Sequence, residues 1–139
     1  MKPAQHIIIT LPFSAAIYLY FNSLGSALIL FFSGILIDLD HILDYRLNGR
    51  YRANLKEFYL FCLEKQFDRI FLIFHSLDVI LFLWILITVF KLNIYWIALT
   101  VGLSLHIILD LLTNGVYPPA YFLVYRMIKD FKKESMFKE

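Results

Sequence analysis

Long apolar stretches separated by short polar turns dominate this chain, and the pattern predicts membrane-spanning helices. A helix needs about 20 predominantly apolar residues to cross the hydrocarbon core of a bilayer. Two stretches reach that length, 70–90 and 93–112, and two come close to it, 4–21 and 22–42. We therefore expect four transmembrane helices packed as a bundle.

The composition agrees with a membrane fold. The 139 residues are 60% hydrophobic and 17% charged, whereas about 25% of residues in soluble domains are charged. A chain of this length forms one domain, so we predict a single all-α, polytopic membrane domain over residues 1–139. The single cysteine, Cys62, excludes an intramolecular disulfide, and we interpret it as a packing residue.

Two polar stretches outside the predicted spans have features of short helices. Residues 53–67 place apolar side chains at helical spacing, and residues 119–131 mix aromatic with basic side chains after Pro118 and Pro119. Both patterns are typical of helices that lie at a membrane surface. Simple amphipathic packing beneath the bundle would give the same pattern, and this alternative stays open.

The basic residues predict an orientation for the bundle. Short turns join the first helix to the second and the third to the fourth, so both turns lie on one side of the membrane, where Lys91 is the only basic residue. The opposite side carries 12 of the 13 Lys and Arg, including Lys2, Arg52 and Lys138. The positive-inside rule makes this side cytoplasmic, together with both termini. Such a surface suits anionic lipid headgroups, although solvated loops also carry such charges.

Ionisable side chains from all four predicted helices converge on the cytoplasmic side. Each helix contributes one of the four histidines, and four carboxylates lie at a similar depth: His6, His41, His75 and His106, with Asp38, Asp40, Asp78 and Asp110. A spacing of three or four residues puts two side chains on one helix face. We therefore expect His75 to share a face with Asp78, and His106 to share one with Asp110.

A bound cation would explain this cluster. An aspartate at the bilayer centre costs on the order of 2.5 to 3.5 kcal/mol by insertion scales, so it usually faces a partner. The sequence pattern offers no matching set of buried cations, and imidazole with carboxylate favours Zn, Mn, Fe or Ni over Ca. We predict one to three divalent ions, most plausibly zinc, bound by His6, Asp38, Asp40, His41, His75, His106 and Asp110. Asp78 is equally suited to orient a histidine, and capping or hydrogen-bonded core residues are the simpler alternatives.

Four segments, in order, carry a family resemblance. They are His6, IDLDH at 37–41, FHS at 74–76 and HIILDLLTNG at 106–115. Together they resemble the YdjM-like family of membrane-bound proteins predicted to be metal-dependent hydrolases and, more distantly, zinc-dependent phospholipase C and single-strand nucleases. The resemblance implies metal binding by the seven predicted ligands and a location in a bacterial inner membrane. The chain departs from the family at Ile37, where proline is usual, and at Asp68 and Arg69, where the family often has His-Arg.

The resemblance implies hydrolysis by a water molecule that the metal activates. We expect a phosphoester in a lipid or lipid-linked substrate, with Asp40 or Asp78 as general base and Arg69 or Arg46 holding the phosphate. Membrane lipids are the expected partners, and no nucleic acid is expected because topology explains the basic residues. A metal-binding scaffold, sensor or transporter without hydrolytic activity would use the same ligands. Transport is less favoured, because the opposite halves of the helices hold no charge.

Overall fold

The computed structural model describes residues 3–51 and 54–137, and within these ranges the chain is helical, without a strand. The helices are α1 (Pro3–Phe21), α2 (Leu24–Leu36), α3 (Asp40–Leu47), α4 (Leu55–Leu63), α5 (Leu77–Phe90), α6 (Ile94–Thr113) and α7 (Leu123–Ile128), with 3-10 turns at Ile37–Leu39, Pro118–Tyr121 and Lys133–Ser135. The basic residues Lys2, Arg52 and Lys138 lie outside the described residues, as does residue 53 of the predicted helix at 53–67.

Three helical segments are long and apolar enough to cross a membrane, so the chain is an all-α membrane protein. They are Ala4–Phe21, Leu24–Leu47 and Ile94–Thr113. The first and third agree with the predicted spans at 4–21 and 93–112. The second combines α2, the 3-10 turn and α3, and it continues beyond the predicted end at residue 42.

The predicted span at 70–90 is wrong in its length. The helix α5 begins only at Leu77 and has 14 residues, which makes it about 21 Å long at 1.5 Å per residue. A hydrocarbon core is about 30 Å thick. The described residues therefore contain three candidate spans and one shorter apolar helix, and His75 precedes α5 instead of sharing a helix face with Asp78.

Side chains from α3 explain why the residues before α5 are not helical. The carboxylate of Asp44 accepts hydrogen bonds from the backbone N–H groups of Phe71 at 2.9 Å and Leu72 at 3.1 Å. The carboxylate of Asp40 accepts one from the N–H of Phe74 at 2.7 Å. Buried backbone groups need hydrogen-bond partners, and here the two aspartates supply them in place of a helix.

A close contact between glycines brings the helices of the bundle together. The helix α2 lies against both α1 and α6, and Gly34 of α2 meets Gly102 of α6. A Cβ atom added to Gly102 would lie 2.5 Å from the carbonyl oxygen of Leu30, and one added to Gly34 would lie 2.9 Å from a Thr10 side-chain carbon. Small residues permit such close backbone approach between membrane helices. The histidine-bearing ends of α1 and α6 meet beside the residues that follow α2, where His6 contacts Asp110 and His106 contacts Asp38.

A second layer covers that end, and we call α4 together with residues 116–137 the cap. Its apolar core includes Phe61 and Met136, each only 1% exposed. The predicted helix at 53–67 corresponds to α4, and the predicted helix at 119–131 is divided into the 3-10 turn at Pro118–Tyr121 and α7. The buried faces of the cap agree with amphipathic packing beneath the bundle.

Candidate metal centre

The orientation of His106 is set by the bundle. Its Nδ1 lies 2.9 Å from the carbonyl oxygen of Gly34. Because a carbonyl only accepts hydrogen bonds, Nδ1 carries a hydrogen, and in the neutral imidazole Nε2 then has the lone pair. Nε2 lies 3.4 Å from Asp110 Oδ2, one helical turn further along α6. The ring, which is fully buried, thus presents a metal-binding nitrogen to a carboxylate.

His6 completes a first group of ligands, which we call the inner triad: His6, His106 and Asp110. His6 Nε2 lies 3.2 Å from Asp110 Oδ1. The rings of His6 and His106 stack with their centroids 3.8 Å apart, so both imidazoles approach the same carboxylate. All three residues are buried, and their donor atoms lie close enough together to hold one metal ion.

A second group, the outer triad, consists of Asp38, His41 and His75. These residues come from the 3-10 turn after α2, the start of α3 and the irregular segment before α5. Asp38 Oδ1 lies 3.5 Å from His75 Nε2 and 3.9 Å from His41 Nε2. Burial opposes a charge on His75, but the nearby carboxylates of Asp38 and Asp40 outweigh it and raise its pKa above the ordinary value. The surroundings of His75 therefore favour a positive charge.

Asp38 joins the two triads. Its Oδ1 also lies 3.4 Å from His106 Nε2, so one carboxylate oxygen approaches histidines of both groups. Zinc binds nitrogen and oxygen ligands at about 2.0 to 2.2 Å, and tetrahedral geometry then separates neighbouring ligand atoms by roughly 3.4 Å. Four of the separations around Asp38 and Asp110, from 3.2 to 3.5 Å, are close to that value, and the distance to His41 is longer at 3.9 Å. The nitrogen and oxygen donors of each triad suit a divalent transition metal.

Asp40 was predicted as a ligand or general base, and the structure places it outside both triads. Its Oδ2 accepts the hydrogen bond from Phe74 and lies 3.5 Å from His75 Nδ1. A carboxylate in contact with the second ring nitrogen of a histidine fixes the orientation of that ring. Asp40 thus has the contacts of a residue that positions His75.

The structure does not bring the predicted catalytic residues Asp78 and Arg69 to the triads. The Asp78 carboxylate accepts a hydrogen bond from the backbone N–H of Leu123 at the start of α7, so it attaches the cap to α5. Arg69 is exposed, and its carbonyl oxygen accepts a hydrogen bond from the Asn48 side chain at 2.9 Å. Neither residue is among the described residues that line the cavity next to the triads.

Arg126 is a buried cation that the sequence pattern did not reveal. It lies in the cap and is 2% exposed. Its Nη1 donates to the carbonyl oxygens of Phe71 and Leu72, both at 2.9 Å, and its Nη2 donates to that of His75 at 3.1 Å. The guanidinium therefore binds the carbonyls of the same segment whose N–H groups the two α3 aspartates bind.

The expectation that the carboxylates lack a buried cation was wrong for part of the cluster. Burial lowers the pKa of the Arg126 guanidinium, and the negative charges of Asp44, Asp40 and Asp78 oppose that effect. Asp44 is fully buried and follows Asp40 by four residues, a spacing that places both on one helix face. That spacing was the available signal for Asp44. Asp38 and Asp110 face the Nε2 atoms of the histidines, and Asp40 faces Nδ1 of His75.

A cavity of about 620 Å³ adjoins the metal centre, and four of the six triad residues line it: Asp38, His41, His75 and Asp110. Lys65 and Arg126 are the cations among the described lining residues. Cys62 also lies on the wall, where burial raises the pKa of its thiol to about 11.

Comparison of the chain with models of protein families, with curated proteins and with solved structures finds no match. The resemblance to the YdjM-like family, carried by His6 and the segments 37–41, 74–76 and 106–115, stays a prediction.

Proposed function

We propose that this chain is a membrane-bound hydrolase that uses two divalent metal ions, zinc in the first instance, to cleave a phosphoester in a lipid or lipid-linked substrate. The observation that supports it most is the position of Asp38 Oδ1, 3.4 Å from His106 Nε2 and 3.5 Å from His75 Nε2. Enzymes with two metal ions about 3.5 to 4 Å apart use them to stabilise both the attacking and the leaving oxygen of a displacement.

The chain's own residues would bind and orient the ions. His106, fixed by the Gly34 carbonyl, and His75, held by Asp40, would each present one nitrogen, with Asp38 between them. When bound, such an ion lowers the pKa of a coordinated water from about 15.7 to about 7. The water would then be a nucleophile at neutral pH without a separate side chain as general base.

An exposed cation on the cavity wall suits a substrate phosphate. Lys65 lines the cavity that holds the metal ligands, and it takes the place of Arg46 and Arg69 in this proposal, because the buried guanidinium of Arg126 is bound to backbone carbonyls. A cation close to a transferred phosphoryl group stabilises the charge that develops during displacement. Lys65 is exposed, so its ammonium can move towards a bound substrate.

The accessibility of the triads favours an enzyme over a metal-stapled scaffold. Structural zinc sites are closed by four protein ligands, whereas catalytic sites keep a position open. Here Asp38, His41, His75 and Asp110 face a cavity, which gives water and substrate a path to the ions. We propose that this face lies in the cytoplasm of a bacterium, at its inner membrane, with lipids as partners and no nucleic acid. The distribution of basic residues supports the orientation.

Elemental analysis and a hydrolysis assay on the detergent-purified chain test this proposal together. We expect stoichiometric zinc, manganese, iron or nickel, and turnover of generic phosphoesters and phospholipids that a chelator abolishes and added metal restores. The double substitution His106→Ala with Asp110→Ala should remove the inner-triad ion and the activity. Metal without turnover of any phosphoester would favour a scaffold or sensor, and absence of metal would reject the proposed function.

A further inference from the structure

The cavity beside the metal centre has two walls of different chemistry. One wall carries the ligands Asp38 and His75, whereas the cap contributes mainly apolar side chains, among them Tyr59 and Leu63 from α4 and Phe137 from the C-terminal segment. We propose that the cap wall is a binding site for the alkyl chain of an amphiphilic phosphoester. This inference rests on the proposed function, because the metal centre then receives the phosphate of the same molecule.

The size and support of the cavity suit such a ligand. Its volume of about 620 Å³ lies within the roughly 300 to 1,000 Å³ of small-molecule sites. Met136 on the wall and Phe61 in the same apolar cluster are each 1% exposed, so the surface rests on a packed core. Tyr59 and Leu63 remain 54% and 59% exposed. An alkyl chain laid against them would remove apolar surface from water, which is favourable in proportion to the area covered.

The surroundings of the cavity favour an amphiphile over a water-soluble ester. The metal ligands lie at one end of the three candidate spans, next to the headgroups of membrane amphiphiles. A soluble phosphoester would need only the polar wall. Lys65 adds a charged group at the cap wall, because its Nζ lies 4.1 Å from the centre of the Phe137 ring, in the range of a cation–π contact. An apolar surface with one cation beside a metal centre matches an alkyl chain joined to an anionic headgroup.

The preference for a long alkyl chain can be measured by hydrolysis of two chromogenic esters that differ only in that chain. They are methyl 4-nitrophenyl phosphate and dodecyl 4-nitrophenyl phosphate, each assayed with the zinc-loaded full chain. In hydrolysis the water oxygen bonds to phosphorus, the bond to 4-nitrophenolate breaks, and the alkyl phosphate and a proton are released. We expect kcat/KM to be at least about tenfold higher for the dodecyl ester, because each buried methylene contributes roughly fourfold. Equal values for the two esters would overturn the inference and leave the hydrolase standing.

Two substitutions on α4 give a matched pair for this assay. Leu63→Trp fills the cavity and should lower the ratio of kcat/KM for the dodecyl ester to kcat/KM for the methyl ester towards one. It should change turnover of the methyl ester less than about twofold. Leu55→Trp adds the same ring at a position that is 85% exposed and outside the cavity lining, and it should retain the preference. If Leu63→Trp fails to fold, Tyr59→Arg places a charge on the same wall and should have the same effect. Identical preferences in all variants would contradict the proposal.

A binding experiment separates this inference from the proposed function. A dodecyl phosphonate with a diazirine at the chain end cannot be hydrolysed, and after irradiation its attachment sites can be mapped by mass spectrometry. We expect labels within 58–63 and 136–137, reduced by Leu63→Trp and unchanged by Leu55→Trp. Such labelling without turnover of either ester would support the chain site and reject the hydrolase. Labelling confined to the outer surface of the membrane spans would reject the chain site.

Discussion

Three aspartates near the end of the second span have different tasks although they are close in sequence. Asp38 faces the histidines of both triads, whereas Asp40 and Asp44 bind the backbone of the segment before α5. The 3-10 turn at Ile37–Leu39 separates Asp38 from the face of α3 that carries the other two. Arg126 donates to the carbonyl oxygens of the same segment. The position of His75 therefore depends on side chains from α3 and from α7.

Removal of the Arg126 guanidinium tests that dependence. Arg126→Met leaves the carbonyls of Phe71, Leu72 and His75 without their buried donor. Each unsatisfied group costs about 1 to 3 kcal/mol, so we expect the free energy of unfolding to fall by about 3 kcal/mol or more. The affinity for zinc should fall as well, because His75 loses its support. Denaturant unfolding and competition with a chelating dye measure the two effects.

The control for Arg126→Met is Arg46→Met, which removes an exposed arginine. Exposed substitutions of this kind usually change stability by less than about 0.5 kcal/mol. Equal loss of stability and zinc affinity in the two variants would show that Arg126 has no special role in holding the site.

The two triads predict separate losses of metal when one histidine of each is removed. His6→Ala takes a ligand from the inner triad and His41→Ala takes one from the outer triad. We expect each variant to retain about one ion where the unsubstituted protein holds about two, since three-residue groups need all their ligands for tight binding. Elemental analysis of both purified variants measures this, and an unchanged metal content in either variant would exclude that histidine as a ligand.

At the scale of helices, the contact of α2 with α6 determines the geometry of the inner triad. Gly102→Ala places a Cβ atom 2.5 Å from the Leu30 carbonyl oxygen, so the two helices must separate. The hydrogen bond from His106 to Gly34 depends on the same approach. We expect Gly102→Ala to lower both thermal stability and zinc affinity, the latter by at least about tenfold, as for other losses of ligand support.

Gly25→Ala is the matched substitution. A Cβ atom at that position would meet the Tyr95 ring at 3.1 Å, and a side chain can shift where backbone cannot. It should therefore keep the zinc affinity of the unsubstituted protein. The helix contact would lose its importance for the site if both alanine variants bound zinc equally.

The elements differ in how far the sequence predicts them. The long apolar runs of α1 and α6 predict their own helices, because hydrophobic length is a local property. The apolar residues 70–76 look equally helical, yet their backbone is bound by Asp40, Asp44 and Arg126. Those contacts join residues 27 to 55 positions apart, so the hydrophobic pattern of the segment itself cannot predict them.

The residues of the candidate site also differ in how far the sequence predicts their positions. Convergence of His6, His106 and Asp110 follows from helix order and spacing, which the sequence contains. The difference between Asp38 and Asp40 depends on a turn of three residues, and both positions look alike in the sequence. Arg126 was counted with the basic tail because its burial depends on how the cap packs.

At the scale of the whole molecule, the basic residues predict the orientation of the bundle, and cysteine labelling tests that prediction. In a Cys62→Ser background, Lys91→Cys should react with an impermeant maleimide from outside the cell. Glu134→Cys, in the exposed part of the cap, should react only after the membrane is opened. The positive-inside rule is the physical reason, and the reverse pattern would place the metal centre on the outer face.

The proposed function requires metal ions held by the two triads together with Asp38, and the metal content of the purified protein measures this requirement directly. We expect about two zinc or similar ions per chain in the unsubstituted protein, as in two-metal sites. Asp38→Asn should reduce this to less than about one, because both triads lose a charged oxygen, whereas Asp68→Asn, at an exposed position, should leave it unchanged. Absence of stoichiometric metal in the unsubstituted protein, or equal metal content in Asp38→Asn, would contradict the account.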